Sequence, residues 1–137
     1  MRRITLVAAL ALALPACESS RKQLLKPPEE QAALRAMQTR AYDTTDEQKT
    51  QRAVIATLQD LGFVLDDANS AMGIVSATKL EGGTVRIMVT VRSHGGRQTA
   101  VRASVQDGYR TVTDPATYQE FFVALSKGMF LTAHQIE

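Results

Sequence analysis

A strict alternation of apolar and polar residues in the second half of the chain gives the clearest structural signal. From residue 85 to 92 the apolar positions are Val85, Ile87, Val89 and Val91, with Arg86, Met88, Thr90 and Arg92 between them. A period of two predicts a strand with one face on a core and the other in water. Segment 99–106 repeats the pattern, with inward positions Thr99, Val101, Ala103 and Val105. Gly82-Gly83 and Gly95-Gly96 are typical of tight hairpin turns, so we predict antiparallel neighbours.

Two segments with a helical period accompany these strands. In segment 46–61 the apolar stripe comprises Ala53, Val54, Ile55, Leu58 and Leu61, and Gly62 stands where a left-handed residue ends a helix. Thr44 and Glu47 have the spacing of a capping box that starts this helix. The second helix is predicted from Pro115 to about Gln135. Its stripe comprises Tyr118, Phe121, Phe122, Leu125, Met129, Thr132 and Ile136, and we expect it to cover the inward face of the sheet.

Further strands are predicted at 63–65 and 73–80, separated by turn-forming residues. Segment 35–42 fits either a first edge strand or a helical extension of the preceding segment, and the strand is favoured. The sequence therefore predicts an α+β fold of order β-α-β-β-β-β-α. Its antiparallel sheet of four to five strands carries two helices on one face.

The first residues have the pattern of a targeting signal. Arg2 and Arg3 precede an apolar run over residues 4–14, which is too short to span a bilayer as a helix. The run closes on Leu14-Pro15-Ala16-Cys17, which resembles the lipobox of bacterial lipoprotein precursors. The resemblance implies a lipid on the Cys17 sulfur and cleavage before that residue. Glu18, rather than aspartate, after the cysteine favours the periplasmic face of the outer membrane over the inner membrane.

These signals divide the chain into three parts. Residues 1–16 are predicted to be a signal peptide, and residues 17–33 a lipidated N-terminus and flexible tether, because Pro27-Pro28 disfavours a helix running through both residues. Residues 34–137 are predicted to form a single α+β periplasmic domain. The membrane is thus the first predicted partner, through the lipid anchor.

Charge and composition narrow the chemistry. Arg2 and Arg3 belong to the 16 basic residues, so without the leader the chain is formally neutral against its 14 acidic residues, and no nucleic-acid partner is predicted. His94 and His134 lie far apart and Cys17 is the sole cysteine, so no metal site is predicted. No serine has a nucleophile-elbow motif and no glycine pair has a phosphate-loop setting. We predict neither a cofactor nor an enzymatic activity.

One set of side chains suggests an interaction surface. Lys79, Arg86, Arg92 and Arg102 are predicted to share the outward face of the sheet. Charges on such a face ordinarily protect it in water, and the functional alternative is docking of an acidic partner or of lipopolysaccharide phosphates. A pocket between the last helix and the sheet, holding an apolar ligand, is a further alternative, although alternating bulky and small inward residues favour a filled core.

Four further stretches of the sequence are Thr39-Arg40-Ala41-Tyr42-Asp43-Thr44, Leu58-Gln59-Asp60-Leu61-Gly62-Phe63, Gly73-Ile74-Val75-Ser76-Ala77-Thr78-Lys79 and Phe121-Phe122 through Phe130-Leu131. Together they resemble a family of small proteobacterial lipoproteins with no assigned activity. The architecture is also similar to the lipoprotein C subunit of the β-barrel assembly machinery, an analogy of fold that implies no shared role. The predicted function is a membrane-anchored, non-enzymatic accessory or scaffold subunit of an envelope assembly or transport complex. The alternative is a lipid or apolar small-ligand binding protein.

Overall fold

The computed structural model describes residues 27–130 and the backbone of residues 133–135. The predicted signal peptide, Cys17, most of the predicted tether, and the stripe positions Thr132 and Ile136 lie outside the described residues. The elements in chain order are α1 (Pro28–Gln38), β1 (Thr39–Tyr42), α2 (Glu47–Asp60), β2 (Val64–Asn69), β3 (Ile74–Lys79), β4 (Val85–His94), β5 (Gln98–Asp107), β6 (Arg110–Thr111), α3 (Pro115–Met129) and β7 (Ala133–Gln135). The predicted α+β class, with helices packed on an antiparallel sheet, is confirmed.

The strands form one antiparallel sheet in the order β2-β3-β4-β5-β1-β7, and the two-residue β6 pairs with β5 beside this path. The meander of β2 to β5 follows from the short turns, as predicted. Val75 of β3 lies opposite Val89 of β4, and Val89 lies opposite Ala103 of β5. Directly paired residues share a face of a sheet, so these three side chains form one apolar row.

The inward face of the sheet forms one side of the hydrophobic core. The predicted inward residues of the two long strands are buried, except that Val85 at the strand's start is half-buried. The helices α2 and α3 contact each other on this side of the sheet. The buried residues of α3 are Tyr118, Phe121, Phe122 and Leu125. The rings of Phe121 and Phe122 meet edge to face at 5.0 Å between centroids. Each such side chain contributes about 1.5–3 kcal/mol of hydrophobic stabilisation.

The segment before β1 differs from the prediction. A strand was favoured over 35–42 and a tether up to residue 33, but residues Pro28–Gln38 form a helix and the strand is limited to Thr39–Tyr42. Pro28 takes the first helical turn, where a missing N–H costs nothing, so the proline pair starts this helix instead of preventing it. Leu34 and Met37 pack against the core. Gln38 is buried, and its side-chain amide donates to the Tyr118 hydroxyl at 3.4 Å.

The start of α2 also differs from the predicted capping box. Asp46 is the N-cap residue, and its Oδ1 accepts from the Lys49 backbone N–H at 2.8 Å. Thr44 lies outside the helix because its carbonyl accepts from the Thr99 hydroxyl of β5, at 2.7 Å. That bond ties the loop to the sheet, and the helix starts two residues later. The predicted end is confirmed, since Gly62 is left-handed with φ of 87°.

The last helix is shorter than predicted. It ends at Met129, where Phe130 takes a left-handed conformation with φ of 55°, and residues Ala133–Gln135 form a strand instead of helix. This strand pairs antiparallel with β1, Ala41 lying opposite His134. The backbone N–H and C=O groups on the second edge of β1 need hydrogen-bond partners, and β7 supplies them. Strand β1, predicted to be an edge strand, is therefore interior.

Candidate functional site

The register of the strands decides which predicted cations share the outward face. Arg86 lies opposite Gln106, and Arg102 lies opposite Thr90. These positions alternate with the buried valines, so Arg86, Arg92 and Arg102 all point away from the helices, as predicted. All three side chains are exposed. We call these three residues the arginine face.

The arginine face is not a tight cluster. Arg92 lies opposite Ala100, two residues from Arg102, which makes Arg92 and Arg102 diagonal neighbours about 7–8 Å apart along the backbone. Arg86 lies six residues from Arg92 on the same strand, a separation of about 20 Å. Two rows lie between them, Ser76-Met88-Ser104 and Ile74-Thr90-Arg102, and Met88 is 52% exposed. The face therefore has two cationic ends, and at the Arg86 end its partly apolar centre forms a concavity of about 270 Å³ whose lining includes Asp66, Ser76, Met88, Ser104 and Gln106.

Positive and negative charges are distributed unevenly over the outward side of the sheet. The Arg102 guanidinium donates to the buried Gln38 side-chain carbonyl at 3.4 Å. Arg86 and Arg92 have no carboxylate within ion-pair distance among residues 27–130. Asp66 lies in the bulge of β2, at the margin of the sheet, and accepts from the Thr78 hydroxyl at 2.6 Å. The face is thus basic over β4 and β5 and acidic along the β2 edge.

Lys79 does not belong to the arginine face, contrary to the prediction. It lies opposite Val85, on the face that the helices cover. Its stem passes over Gly62 and its ammonium donates to the Leu61 carbonyl at 3.0 Å. The same ammonium pairs with Glu81 at 3.2 Å and lies 5.9 Å from the centre of the Phe63 ring. A lysine at a strand end can bury its stem and keep its charge at the rim, which explains the position.

A cleft of about 260 Å³ opens beside Lys79, between α3 and the sheet. Its apolar wall is formed by Leu61, Phe63, Val85, Ile87, Val105 and Phe121, and its polar rim includes Lys79, Glu81 and Glu120. This is the place where the sequence allowed a pocket between the last helix and the sheet. The cleft is somewhat smaller than the roughly 300–1,000 Å³ of pockets that hold drug-sized ligands. It suits a short alkyl group or a single aromatic ring.

The same end of the sheet carries three exposed apolar side chains that the sequence analysis did not single out. Val64, Leu80 and Tyr109 are 71%, 76% and 103% exposed. Leu80 lies in the turn between β3 and β4, Tyr109 in the turn between β5 and β6, and Val64 begins β2. We call these residues the apolar tips. The available signal was an apolar residue placed beside turn glycines, as in Leu80-Glu81-Gly82-Gly83 and Gly108-Tyr109.

The phenol of Tyr42 is a titratable group buried in the core. Burial raises the pKa of the Tyr42 phenol, while its hydrogen bond with Ser126 and the charge of Arg40 act in the opposite direction. No group of three or more His, Cys, Asp or Glu side chains converges within residues 27–130 in a way that would hold a metal ion. None of the described helices has both the length and the apolar character needed to cross a bilayer. The candidate sites are therefore surfaces and a cleft.

Comparison with known proteins does not assign the chain to a family. Neither a family model nor a curated protein matches the chain. The resemblance to small lipoproteins remains a prediction from the sequence stretches that carry it. Any functional proposal must therefore start from the arginine face, the cleft and the apolar tips.

Proposed function

We propose that this chain is a lipid-anchored accessory protein that holds an acidic protein partner on its arginine face. The anchor is the diacylglyceryl group expected on Cys17, with the domain facing the periplasm at the outer membrane. The partner is a subunit of an envelope assembly or transport complex. In this proposal the domain works by contact, and no residue has a catalytic role.

The supporting observation is the unpaired charge on the uncovered side of the sheet. Helices α1 and α2 both contact α3. Their buried residues and the inward residues of the strands belong to one hydrophobic core. The outward face keeps Arg86 and Arg92 without a carboxylate partner within residues 27–130. An acidic segment laid along β4 would satisfy both cations at once, and such complementarity sets partner choice and association rate.

The partly apolar centre of the arginine face supports contact with a polypeptide. Ser76 and Ser104 flank Met88 in one row across three strands. Methionine adapts its shape to a partner, and small hydroxyl residues on either side let a backbone approach closely. The two arginine ends are separated by about 20 Å, the length of a six-residue extended segment. An extended acidic segment with an apolar residue near its middle fits this surface.

The test is capture of the partner in native envelopes by crosslinking, comparing the wild type with the double variant Arg86→Ser/Arg92→Ser. These two side chains make no hydrogen bond in the described structure, so the fold should tolerate both changes. Arg102 stays unchanged because it also bonds to Gln38. The matched control is Arg52→Ser/Arg110→Ser, which removes two exposed cations from outside the face.

We expect the double variant to lose the captured protein and the control to retain it. The wild-type complex should weaken as salt is raised, because exposed charge pairs are screened over about 8–10 Å at physiological ionic strength. Equal capture by all three proteins would overturn the proposal. Retention of lipopolysaccharide alone, lost in the double variant, would assign the face to lipid phosphates and would also refute an acidic protein partner.

The cleft favours a second candidate function, the binding of a small apolar ligand. Its apolar wall and its position between α3 and the sheet support this alternative, and its 260 Å³ limits the ligand to a short chain or one ring. Native mass spectrometry of the protein purified from envelopes tests it. A retained mass that is lost on Phe121→Ala, without loss of the fold, would support the candidate, and the apoprotein mass alone would count against it.

A further inference from the structure

We infer that the sheet end bearing the apolar tips rests on the surface of the lipid bilayer. The turn after β3 and the turn after β5 start at the same level, because Lys79 lies opposite Val85 and Val85 lies opposite Asp107. The two turns are joined by a hydrogen bond from the Gly108 N–H to the Thr84 carbonyl at 3.0 Å. The tips therefore project from one end of a single rigid sheet.

The third tip belongs to the same end. Val64 lies opposite Thr78, one residue before the end of β3. From β2 to β6 the sheet crosses five neighbouring strands, so Val64 and Tyr109 are separated by about 19 Å across the sheet, with Leu80 between them. Because Thr78 also lies opposite Arg86, the Val64 side chain lies on the outward face beside this end, whereas Leu80 and Tyr109 lie in the turns that form the end.

The exposure of the tips is not explained by folding. Each is more than two-thirds exposed, whereas the inward residues of the same strands are buried. These exposures show that the described chain leaves most of each tip side chain uncovered. Tyrosine in particular joins an apolar ring to a polar hydroxyl, a combination that favours the boundary between lipid and water.

The length of chain before the domain favours a membrane as the occupant. This step rests on the lipid anchor of the proposed function. Helix α1 begins at Pro28, so only residues 18–27 separate the expected lipid on Cys17 from the folded domain. Ten residues reach at most about 35 Å when fully extended. The domain is thereby kept within its own diameter of the bilayer.

The charges beside the tips predict the lipid dependence. Lys79 and Arg110 supply positive charge around the end of the sheet, and Glu81 and Asp107 supply negative charge. The contact should therefore form on neutral phosphatidylcholine as well as on anionic vesicles. With the sheet end on the membrane, the arginine face stands beside it and remains open to a partner. The two surfaces meet at the row that holds Val64, Thr78 and Arg86.

The experiment uses the acylated protein purified from envelopes and reconstituted in phosphatidylcholine vesicles. Single substitutions Leu80→Cys and Tyr109→Cys receive an environment-sensitive fluorophore, and nitroxide-labelled lipids act as quenchers. Met72→Cys is the matched control, because Met72 is also an exposed apolar residue, 56% exposed, but lies in the turn between β2 and β3 at the opposite end. Far-UV circular dichroism verifies that each variant is folded.

We expect lipid quenching of the label at positions 80 and 109 and none at position 72. Adding Val64→Ser to the labelled Leu80→Cys protein should lower the ratio of docked to undocked protein by about tenfold, since that change removes most of one apolar contact with the bilayer. Quenching equal at all three positions, or absent at 80 and 109, would overturn the inference. Quenching that appears only after envelope proteins are added would assign the tips to a protein partner and would also overturn it.

The anchor has an independent readout in the same experiment. An acylated Cys17 leaves the wild-type protein without a reactive thiol, so it should take up no fluorophore. Labelling of the wild type would refute the anchor. Unlabelled wild type together with unquenched tips would refute the membrane contact and leave the anchor standing.

Discussion

Gly73 at the start of β3 permits a close approach that no other residue could make. Its φ is +64°, and a methyl group built on its Cα would fall far inside van der Waals contact with the backbone carbonyl oxygen of Val91. The Gly73 carbonyl in turn accepts from the Val91 N–H at 2.7 Å. The two backbones are therefore held together where β3 first meets β4. We predict that Gly73→Ala strongly destabilises the domain.

The magnitude follows from three contributions. A left-handed backbone costs an alanine about 1 kcal/mol. Relief of the clash moves the strand and weakens the bond to Val91, which costs about 1 kcal/mol more. Shifting β3 also disturbs the buried Val75, and overpacking of this kind costs about 1–3 kcal/mol. The free energy of unfolding should fall by about 3–5 kcal/mol, a large part of the stability of a small domain.

Gly95→Ala is the control for this prediction. Gly95 has a φ of +59° but nothing within 4 Å of the added methyl group, so only the backbone contribution of about 1 kcal/mol applies. Urea unfolding followed by far-UV circular dichroism measures both variants, since the chain has no tryptophan. Equal losses of unfolding free energy would show that the close approach to Val91 has no energetic weight and would refute the reasoning.

Two further predictions concern the start of α2 and the buried phenol. Asp46→Ala should lower the unfolding free energy measured in urea by about 1 kcal/mol, because the N-cap bond is lost, and Thr44→Ala should lower it by less. A larger loss for Thr44→Ala would restore the capping box as the true helix start. Because the pKa of Tyr42 is raised by burial, its contribution to stability is complete below about pH 10, the unfolded value, and is lost as pH rises through the folded pKa. Tyr42→Phe should flatten the fall in thermal stability above that pH, and an unchanged slope would contradict the assignment.

The sequence predicted the centre of the sheet well because its signals there are redundant. Apolar and polar residues alternate strictly from Val85 to Val91, and both neighbouring turns contain glycine pairs. The strand, its buried face and its antiparallel pairing are therefore all predicted consistently. The predicted inward face was confirmed at the buried positions of β4 and β5. The arginine face could be assigned for the same reason. A strict period of two fixes the side of every residue in the strand.

The errors fall where a tertiary contact decides between local alternatives. Thr44, Thr45 and Asp46 can each cap a helix, and the bond from Thr99 to the Thr44 carbonyl decides for Asp46. Lys79 was assigned to the arginine face by its charge, although its alternation with Val75 and Ala77 already put it on the inward side. The apolar tips were overlooked because a single apolar residue in a turn has no periodicity.

The position of β1 has a consequence for how the molecule reaches its final form. This strand follows α1 near the beginning of the described chain, yet its partners are β5 on one side and β7 on the other. Neither partner has been synthesised when β1 leaves the ribosome, so its pairing with β5 must wait for that strand and its pairing with β7 for the last strand of the chain. Contacts so distant in sequence slow folding, which keeps the polypeptide extended for longer after synthesis.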